Sequence, residues 1–469
     1  MHIETALVPA LLLSLTFAAL AQPPDAVTND DRIRPWDDLP RFWQYKGEPV
    51  LLIGGSDEDN LFNDPALMAA NLSALAECGG NYIRGTLSWR DENNVPPYVA
   101  GDDGQYNLER LNPEFFQRLE DCCRECYERD IIIQIEVWAT FDYYRDQWLA
   151  NPWNPANNVN YTAEESGLPT EWPHHPAANP QPFFYSPPEL NDNELVRGYQ
   201  EAFVRKVLEV TLRYPNILYC MDNETKTPPQ WAWYWAEFIR AEADGQGVPV
   251  QLTEMWDDWN ILAERHSHTY SRPDIFDFVD VSQNNWMDWG DHYPPLLEYR
   301  AMLADSPMGI RPMNNVKVYG KPVPGQELDP ALNVDRFWQN IWAGCASTRF
   351  HRPDSGLGCS ELAQTSIRAA RAITDAFDVF AAEPRPDLLS GHEGSGAYLL
   401  CVEGEAYAVY LTAGGTVNLD IAAMGEPAEV RWLDVETAEL GRSAAIEGDT
   451  ATLASPGTEG PWCALVTAR

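Results

Sequence analysis

Short apolar runs alternate with longer amphipathic stretches between about residues 40 and 385. The short runs are rich in β-branched residues, and runs such as Ile131–Ile133 are apolar on both faces, which is typical of a buried parallel sheet. The pattern predicts eight strands, at Val50–Gly55, Asn81–Leu87, Asp130–Val137, Asn216–Asp222, Val248–Glu254, Phe276–Ser282, Lys317–Gln326 and Ala346–His351.

The amphipathic stretches between these runs have the 3.6-residue period of helical crossovers. They predict helices at Pro65–Glu77, Pro113–Arg129, Glu194–Tyr214, Pro229–Asp244, Pro294–Ala304, Asn333–Gly344 and Ser360–Ala382. Asp257 and Asp258 are interpreted as a helix start rather than as catalytic groups. Eight strands with helical crossovers predict an α/β protein built on a (β/α)8 TIM barrel.

Two further segments complete the predicted domain organisation. The polar, aromatic and Pro-rich stretch 140–191 follows the third strand, so it would lie on the catalytic face of a barrel that spans residues 22–385. After Pro384, short alternating runs separated by Gly and Asp predict a small all-β sandwich over residues 386–469. These runs are Ala397–Val402, Ala406–Leu411, Thr416–Leu419, Ala428–Leu433, Thr450–Leu453 and Cys463–Thr467.

The amino terminus has the pattern of a secretory signal peptide. An apolar stretch, Ala6–Leu20, is followed by the small-x-small site Ala19–Ala21, although no Lys or Arg precedes it. We therefore expect residues 1–21 to be removed and the protein to be secreted, periplasmic or extracellular. An uncleaved anchor is the alternative, but the apolar stretch is short for a membrane span.

Charge and composition narrow the classes of partner. The net charge is −39, from 32 Lys and Arg against 71 Asp and Glu, and a field of that sign repels nucleic acid and anionic membranes. The 18 Trp and 20 Tyr fit either sugar platforms or barrel packing. Nine Cys is an odd number; Cys345 with Cys359, or Cys78 with a neighbour on the second predicted helix, could pair. The oligomeric state stays open.

Two predicted strands end in carboxylates that could face each other. The fourth ends in Asn223-Glu224, and the seventh leads to Glu327. Acetal hydrolysis needs such a pair, since one group protonates the departing oxygen while the other attacks the anomeric carbon or positions water. Glu254, which ends the fifth strand, is the alternative to Glu327, and Glu224 could instead be a helix-capping residue.

These residues resemble the motifs of the clan A retaining glycoside hydrolases. The resemblance consists of Asn223-Glu224 and of the lead-in Gly320–Val323 before Glu327. The segment Arg41–Gly55 is similar to the apiosidase-like and cellulase-like members of that clan. The tail, at Ala406–Asp420 and Val430–Gly441, is similar to the small β-domain of the collagen-binding type that often follows such barrels.

The resemblance implies a role for each matching position. Glu224 would be the acid/base, Glu327 the nucleophile, and Asn223 would bind the 2-hydroxyl of the sugar. Arg84, at the end of the second strand, would keep Glu327 ionised, unless it is a plain structural ion-pair residue.

The remaining candidate substrate-binding residues lie at other strand ends. They are Trp138, Asn284, Asn285, Trp286, His351 and Arg352. Trp138 and Trp286 could be sugar platforms or rim packing. The clan's Tyr or His is missing after the sixth strand, which leaves the hydrogen-bond partner of the nucleophile unassigned. Its Trp is missing after the eighth strand, which favours an unusual first subsite for a charged or branched sugar.

The sequence therefore predicts a secreted retaining glycoside hydrolase acting on a plant or algal polysaccharide or oligosaccharide, with no cofactor and no metal. A non-catalytic carbohydrate-binding or adhesion protein on the same scaffold is the alternative. A metal-dependent hydrolase is a third hypothesis, for which His266 and His268 are the candidate ligands.

Overall fold

A computed structural model describes residues 27–90, 93–175, 181–285, 292–321, 325–392, 396–425 and 427–469. The predicted signal peptide, 1–21, and Trp286 lie outside the described residues.

Eight parallel strands form the wall of the first domain. They are β1 Leu52–Gly55, β2 Tyr82–Thr86, β3 Ile132–Ala139, β4 Ile217–Asn223, β5 Leu252–Thr253, β6 Val279–Asp280, β7 Met313–Asn314 and β8 Ser347–Phe350. Six pair in the order β5-β4-β3-β2-β1-β8, and β6 pairs with β7. The Asp277 amide donates to the Leu252 carbonyl at 2.9 Å, and Val318 bridges to Phe350, which closes the circle. The predicted TIM barrel is confirmed.

A helix follows each strand of the barrel. The eight are α1 Pro65–Glu77, α2 Pro113–Tyr127, α3 Glu194–Thr211, α4 Pro229–Asp244, α5 Glu264–Tyr270, α6 Tyr293–Ala304, α7 Pro330–Trp342 and α8 Glu361–Thr374. Several begin where the sequence places a cap: the Asp64 carboxylate accepts from two amides of α1, and Asp329 does the same for α7. The predicted helix start at Asp257 and Asp258 is wrong, because α5 begins at Glu264.

The seventh strand lies earlier than Lys317–Gln326, so that prediction is wrong. The pattern of apolar residues does not predict β7, because the side chains that fill the barrel interior beside this strand are polar. Asn314 accepts a hydrogen bond from the Trp43 indole at 2.9 Å and donates to the Tyr82 hydroxyl at 3.1 Å. The Tyr82 hydroxyl in turn donates to Gln134 at 2.7 Å. These inward-facing side chains form hydrogen bonds with one another, so they can be buried although they are polar. As a result the strand lacks the apolar residues by which a buried strand is recognised in a sequence.

Asparagine side chains within the insertion after β3 form hydrogen bonds that hold its backbone in place. Its described residues carry two short α-helices, Arg145–Ala150 and Ala163–Ser166, and two 3-10 helices, Thr140–Tyr143 and Pro182–Tyr185. The Asn151 amide donates to the Asp142 carbonyl at 2.8 Å, and the Asn154 amide donates to the Trp148 and Thr170 carbonyls at 2.9 and 3.0 Å. Side-chain amides thereby satisfy backbone groups that no helix or sheet pairs.

The C-terminal residues form the predicted all-β domain. Its main strands are β9 Ala397–Val402, β10 Ala406–Leu411, β11 Thr416–Asp420, β12 Ala428–Asp434, β13 Thr450–Ala454 and β14 Trp462–Ala468. Short strands at Glu383–Pro384, Leu389–Ser390, Glu439–Leu440 and Ala444–Ile446 extend the two antiparallel sheets. Val409, Val417 and Leu453 share the core between the sheets. The outer face of β10 packs on α7, where Tyr410 stacks on Trp338 at 5.1 Å between ring centroids.

All nine cysteines fall in described segments, and all are buried and free, so none of the disulfides considered from the sequence is formed. Within the described residues no helix has the length and apolar character needed to cross a membrane.

Candidate active site

Glu224 lies immediately beyond β4 in an unusual backbone conformation. Its φ is +67°, in the left-handed region that a residue with a Cβ rarely occupies. Asp222 and Asn223, before it, are buried, whereas 18% of the Glu224 side chain is exposed. The positive φ turns the carboxylate out of the strand toward the open carboxyl end of the barrel, and backbone strain of this kind clusters at functional sites.

Lys317, three residues past β7, is the partner of Glu224. Its side chain is 1% exposed; its ammonium forms an ion pair with Glu224 Oε1 and donates to Asn223 Oδ1 at 3.1 Å. Burial opposes ionisation of Glu224, but the charge and hydrogen bond of Lys317, with a further contribution from Arg84, hold its pKa below the ordinary value. Glu224 is therefore a carboxylate at neutral pH.

A network of buried charges forms the floor of the site. Arg84 donates to both carboxylate oxygens of Glu136, each at 2.7 Å, and to Asp59 at 2.8 Å. The Thr86 hydroxyl also donates to Glu136 at 2.5 Å. Bidentate pairs of this kind fix geometry as well as charge. Arg84 is thus placed between two carboxylates by β2, β3 and the loop after β1.

Residues after β8 complete the same network. Arg352 donates to Asp59 at 2.6 Å, and the His351 ring stacks on Tyr319 with 4.5 Å between centroids. Burial raises the pKa of Asp59, but the charges of Arg84, Arg352 and Arg349 outweigh it and hold that pKa well below the usual range. Burial lowers the pKa of His351 far below its ordinary value, so its imidazole is neutral.

Asp257 lies beside Glu224 in the loop after β5. Its amide donates to the Thr225 carbonyl at 3.0 Å, and its carboxylate is 3.7 Å from the ammonium of Lys226. Burial, reinforced by the negative charge of Glu224, raises the pKa of Asp257 to about 6. Two neighbouring carboxyls thus have pKa values displaced in opposite directions.

A cavity of about 390 Å³ opens next to these residues. Its walls are Tyr185, Lys226, Thr227, Pro228, Pro229, Glu264, Arg265 and His268. Small-molecule sites commonly have this size and this mixture of aromatic, apolar and charged walls. Lys226 lines this cavity and also contacts Asp257, whereas Glu224 and Asp257 themselves do not line it.

Glu327 does not end a barrel strand. It is exposed, between Gly325 and the start of α7, thirteen residues beyond the end of β7. Arg84, which was expected to keep Glu327 ionised, is bound to Glu136 and Asp59 instead. The position near Glu224 that the sequence assigned to Glu327 is occupied by Lys317.

Three other predicted binding residues belong to the packing. Trp138 is 1% exposed and lies among aromatic rings, 5.0 Å from Trp235 between centroids. The Asn284 amide donates to the His292 carbonyl at 3.1 Å, and Asn285 accepts from the Tyr319 amide at 3.1 Å while donating to the Lys317 carbonyl at 2.6 Å. Asn285 therefore fixes the backbone that carries Lys317.

The residues that the sequence offered as an alternative catalytic carboxylate and as metal ligands have other surroundings in the structure. Glu254 is a fully buried core residue that accepts from the Thr225 hydroxyl, and burial with the nearby charge of Asp222 raises its pKa far above normal. His266 is 2% exposed, and its Nε2 is 2.9 Å from the Asp258 carbonyl. The described segments hold no group of three or more His, Cys, Asp or Glu suited to a metal ion.

Sequence reasoning missed Lys317, Asp59 and the significance of Asp257. One available signal was the rarity of lysine. The chain has five, and three of them, Lys226, Lys317 and Lys321, follow the fourth and seventh strands. In an acidic protein with so few lysines, their concentration at strand ends indicates that a positive charge is needed at that end of the barrel.

Comparison with known proteins supports the architecture. No family model matches the chain, and no curated protein sequence matches it. A solved glycoside hydrolase family 5 protein from Bacteroides vulgatus superposes with a TM-score of 0.64 at 11% identity, covering 94% of each chain. Another structure, described as a glycoside hydrolase, gives 0.63 at 12% identity, covering 94% of this chain and 97% of the other. At these identities the likeness shows a shared fold, a barrel with an appended β-domain.

Proposed function

We propose that the chain is a glycoside hydrolase in which Glu224 is the reacting carboxylate. The observation that carries this proposal is the ionised, partly exposed Glu224 at the open end of β4, held by the buried ammonium of Lys317. A fixed carboxylate can attack or stabilise the positively charged anomeric centre that forms when a glycosidic bond breaks. The solved proteins that share the fold, described as glycoside hydrolases, add support.

The finer proposal is double displacement with retention, on a plant or algal polysaccharide or oligosaccharide outside the producing cell. It changes the role of Glu224. The sequence resemblance made Glu224 the acid/base, but a group whose pKa is lowered is a poor proton donor and a good nucleophile. Secretion is supported by the apolar stretch Ala6–Leu20.

The non-catalytic carbohydrate-binding protein remains a second candidate because of one observation. Lys317 occupies the place near Glu224 where the mechanism inferred from the sequence needs a second carboxylate. Neutralising Glu224 in the resting state would suit a site that binds sugar without cleaving it.

Reducing-sugar release and aryl-glycoside turnover across a glycan panel separate the two candidates. The wild type should cleave at least one substrate, and Glu224→Gln should lower kcat by about 10³-fold or more while it still binds that substrate. Glu327→Gln is the matched control and should retain activity. Wild-type binding without turnover on every glycan would favour the second candidate; full activity of Glu224→Gln would refute the assignment.

A further inference from the structure

We propose that Asp257 is the proton donor to the departing glycosidic oxygen, acting as the partner of Glu224. This inference rests on the proposed glycoside hydrolase function and assigns the catalytic group that the function lacks. It replaces the exposed Glu327 with a carboxyl in the loop after β5, the strand next to β4.

Backbone pairing holds Asp257 beside Glu224. The chains continue as neighbours beyond β4 and β5, since Thr225 bridges in parallel to Trp256. The Thr225 amide donates to the Met255 carbonyl at 2.9 Å, and the Asp257 amide donates to the Thr225 carbonyl at 3.0 Å. In this parallel register Asp257 lies level with Lys226, two residues beyond Glu224 on a chain about 4.8 Å away. The two side chains therefore lie on adjacent chains at the same end of the barrel, where double displacement would require their carboxyl groups to be about 5 Å apart.

Burial, and after it the negative charge of Glu224, raise the pKa of Asp257 and so favour its protonated form. The ammonium groups of Lys226, which is bound to the Asp257 backbone carbonyl and lies 3.7 Å from the carboxylate, and of Lys317 lower that pKa less strongly. With 12% of its side chain exposed, Asp257 is largely shielded from water yet not sealed. A neutral carboxyl beside a fixed carboxylate is the division of roles that acid-assisted acetal cleavage needs.

The reaction balances with these two groups and water. A Glu224 oxygen bonds to the anomeric carbon as the glycosidic C–O bond breaks, and the departing oxygen keeps the bonding electrons and takes the proton of Asp257. Water then attacks the anomeric carbon, gives a proton to the Asp257 carboxylate, and releases Glu224 as a carboxylate. Lys226, which contacts Asp257, also lines the cavity, which would offer room for the departing sugar.

Dependence on the leaving group tests this role. Asp257→Asn should lower kcat/KM for an unactivated glycoside by about 10²- to 10⁴-fold, but should change it little for the 2,4-dinitrophenyl glycoside of the same sugar, which needs no protonation. Asp258→Asn is the matched control and should behave as wild type on both substrates. Circular dichroism and thermal melting of each variant confirm that it is folded.

A second readout is the pH profile of kcat/KM. Because Asp257 must be protonated, wild-type activity should fall as the pH rises through about 6. Asp257→Asn should lose this alkaline limb. In Asp257→Ala, azide should restore turnover of the dinitrophenyl glycoside and yield a glycosyl azide.

Three outcomes would overturn the assignment while leaving the proposed function intact. They are equal losses on both leaving groups in a folded Asp257→Asn, an unchanged alkaline limb, and wild-type activity of that variant on the unactivated glycoside. If wild type cleaves no glycan at all, the proposed function fails first.

Discussion

At the residue scale, the pair formed by Lys317 and Glu224 is the feature on which the site depends. Lys317 is buried at 1% exposure, so its ammonium gains its stability from Glu224 and Asn223 rather than from water. Glu224 in turn keeps its charge through Lys317. The ion pair therefore accounts both for the burial of the Lys317 ammonium and for the lowered pKa of Glu224.

Replacing Lys317 by Met should therefore raise the pKa of Glu224, because burial would then lack its strongest opposing charge. The acid limb of the kcat/KM profile should move to higher pH. The loss of positioning should lower kcat on the order of 10²-fold. Lys321→Met, on the same loop, should keep the wild-type acid limb; an unmoved limb in Lys317→Met would contradict the proposed link between the two residues.

The part of the site that sequence could predict follows from the same physics. Glu224 directly follows β4 and Arg84 lies within β2, and both strands have a regular apolar pattern, so the placement of these residues could be predicted from it. Lys317 could not, because β7 consists of Met313 and Asn314 and has no alternating or apolar pattern. The Asn314 side chain is satisfied by hydrogen bonds with Tyr82 on β2 and with Trp43, both remote in sequence.

At the element scale, the long strands and the capped helices were predicted closely, and the short elements were not. α1 and α4 match their predicted bounds, whereas β5 and β6 each retain two residues of longer predictions and β7 lies wholly before its predicted range. Short strands are held by tertiary contacts more than by local propensity, so their limits are weakly encoded in the local sequence.

Close contact between β1 and β2 gives an element-scale prediction. A Cβ on Gly54 would lie 1.8 Å from the Tyr82 carbonyl oxygen, so Gly54→Ala must separate two paired strands. We expect the free energy of unfolding to fall by about 3 kcal/mol, as measured by denaturant titration.

Gly198, within α3, is the control for that substitution. A Cβ there meets no atom within 4 Å. Gly198→Ala should raise the free energy of unfolding by about 0.5–1 kcal/mol, because alanine is the better helix former. Similar effects of the two substitutions would contradict the strand contact as the cause.

At the scale of the whole molecule, the barrel and the β-domain share an aromatic interface. The Tyr410 hydroxyl donates to Asp335 at 2.6 Å, the Trp342 indole donates to the Ala408 carbonyl at 2.9 Å, and Trp338 stacks on Tyr410. The β-domain therefore covers the apolar face of α7, and the two parts should unfold together.

Tyr410→Ala should lower the free energy of unfolding by about 3–5 kcal/mol, since it empties a fully buried aromatic site. Tyr410→Phe keeps the ring and should lose only about 1 kcal/mol with its hydrogen bond. Differential scanning calorimetry should show one transition for the wild type. Two separate transitions, with Tyr410→Ala shifting neither, would contradict a shared interface.

Covalent trapping tests the central claim most directly, because it identifies the attacking residue. The enzyme is incubated with an activated 2-deoxy-2-fluoro glycoside of the sugar that the glycan panel identifies, and the labelled peptide is sequenced by mass spectrometry. The label should lie on Glu224 and should be absent from the Glu224→Gln variant. Labelling of Glu327, or full turnover of that variant, would contradict an active site built on the pair of Glu224 and Lys317.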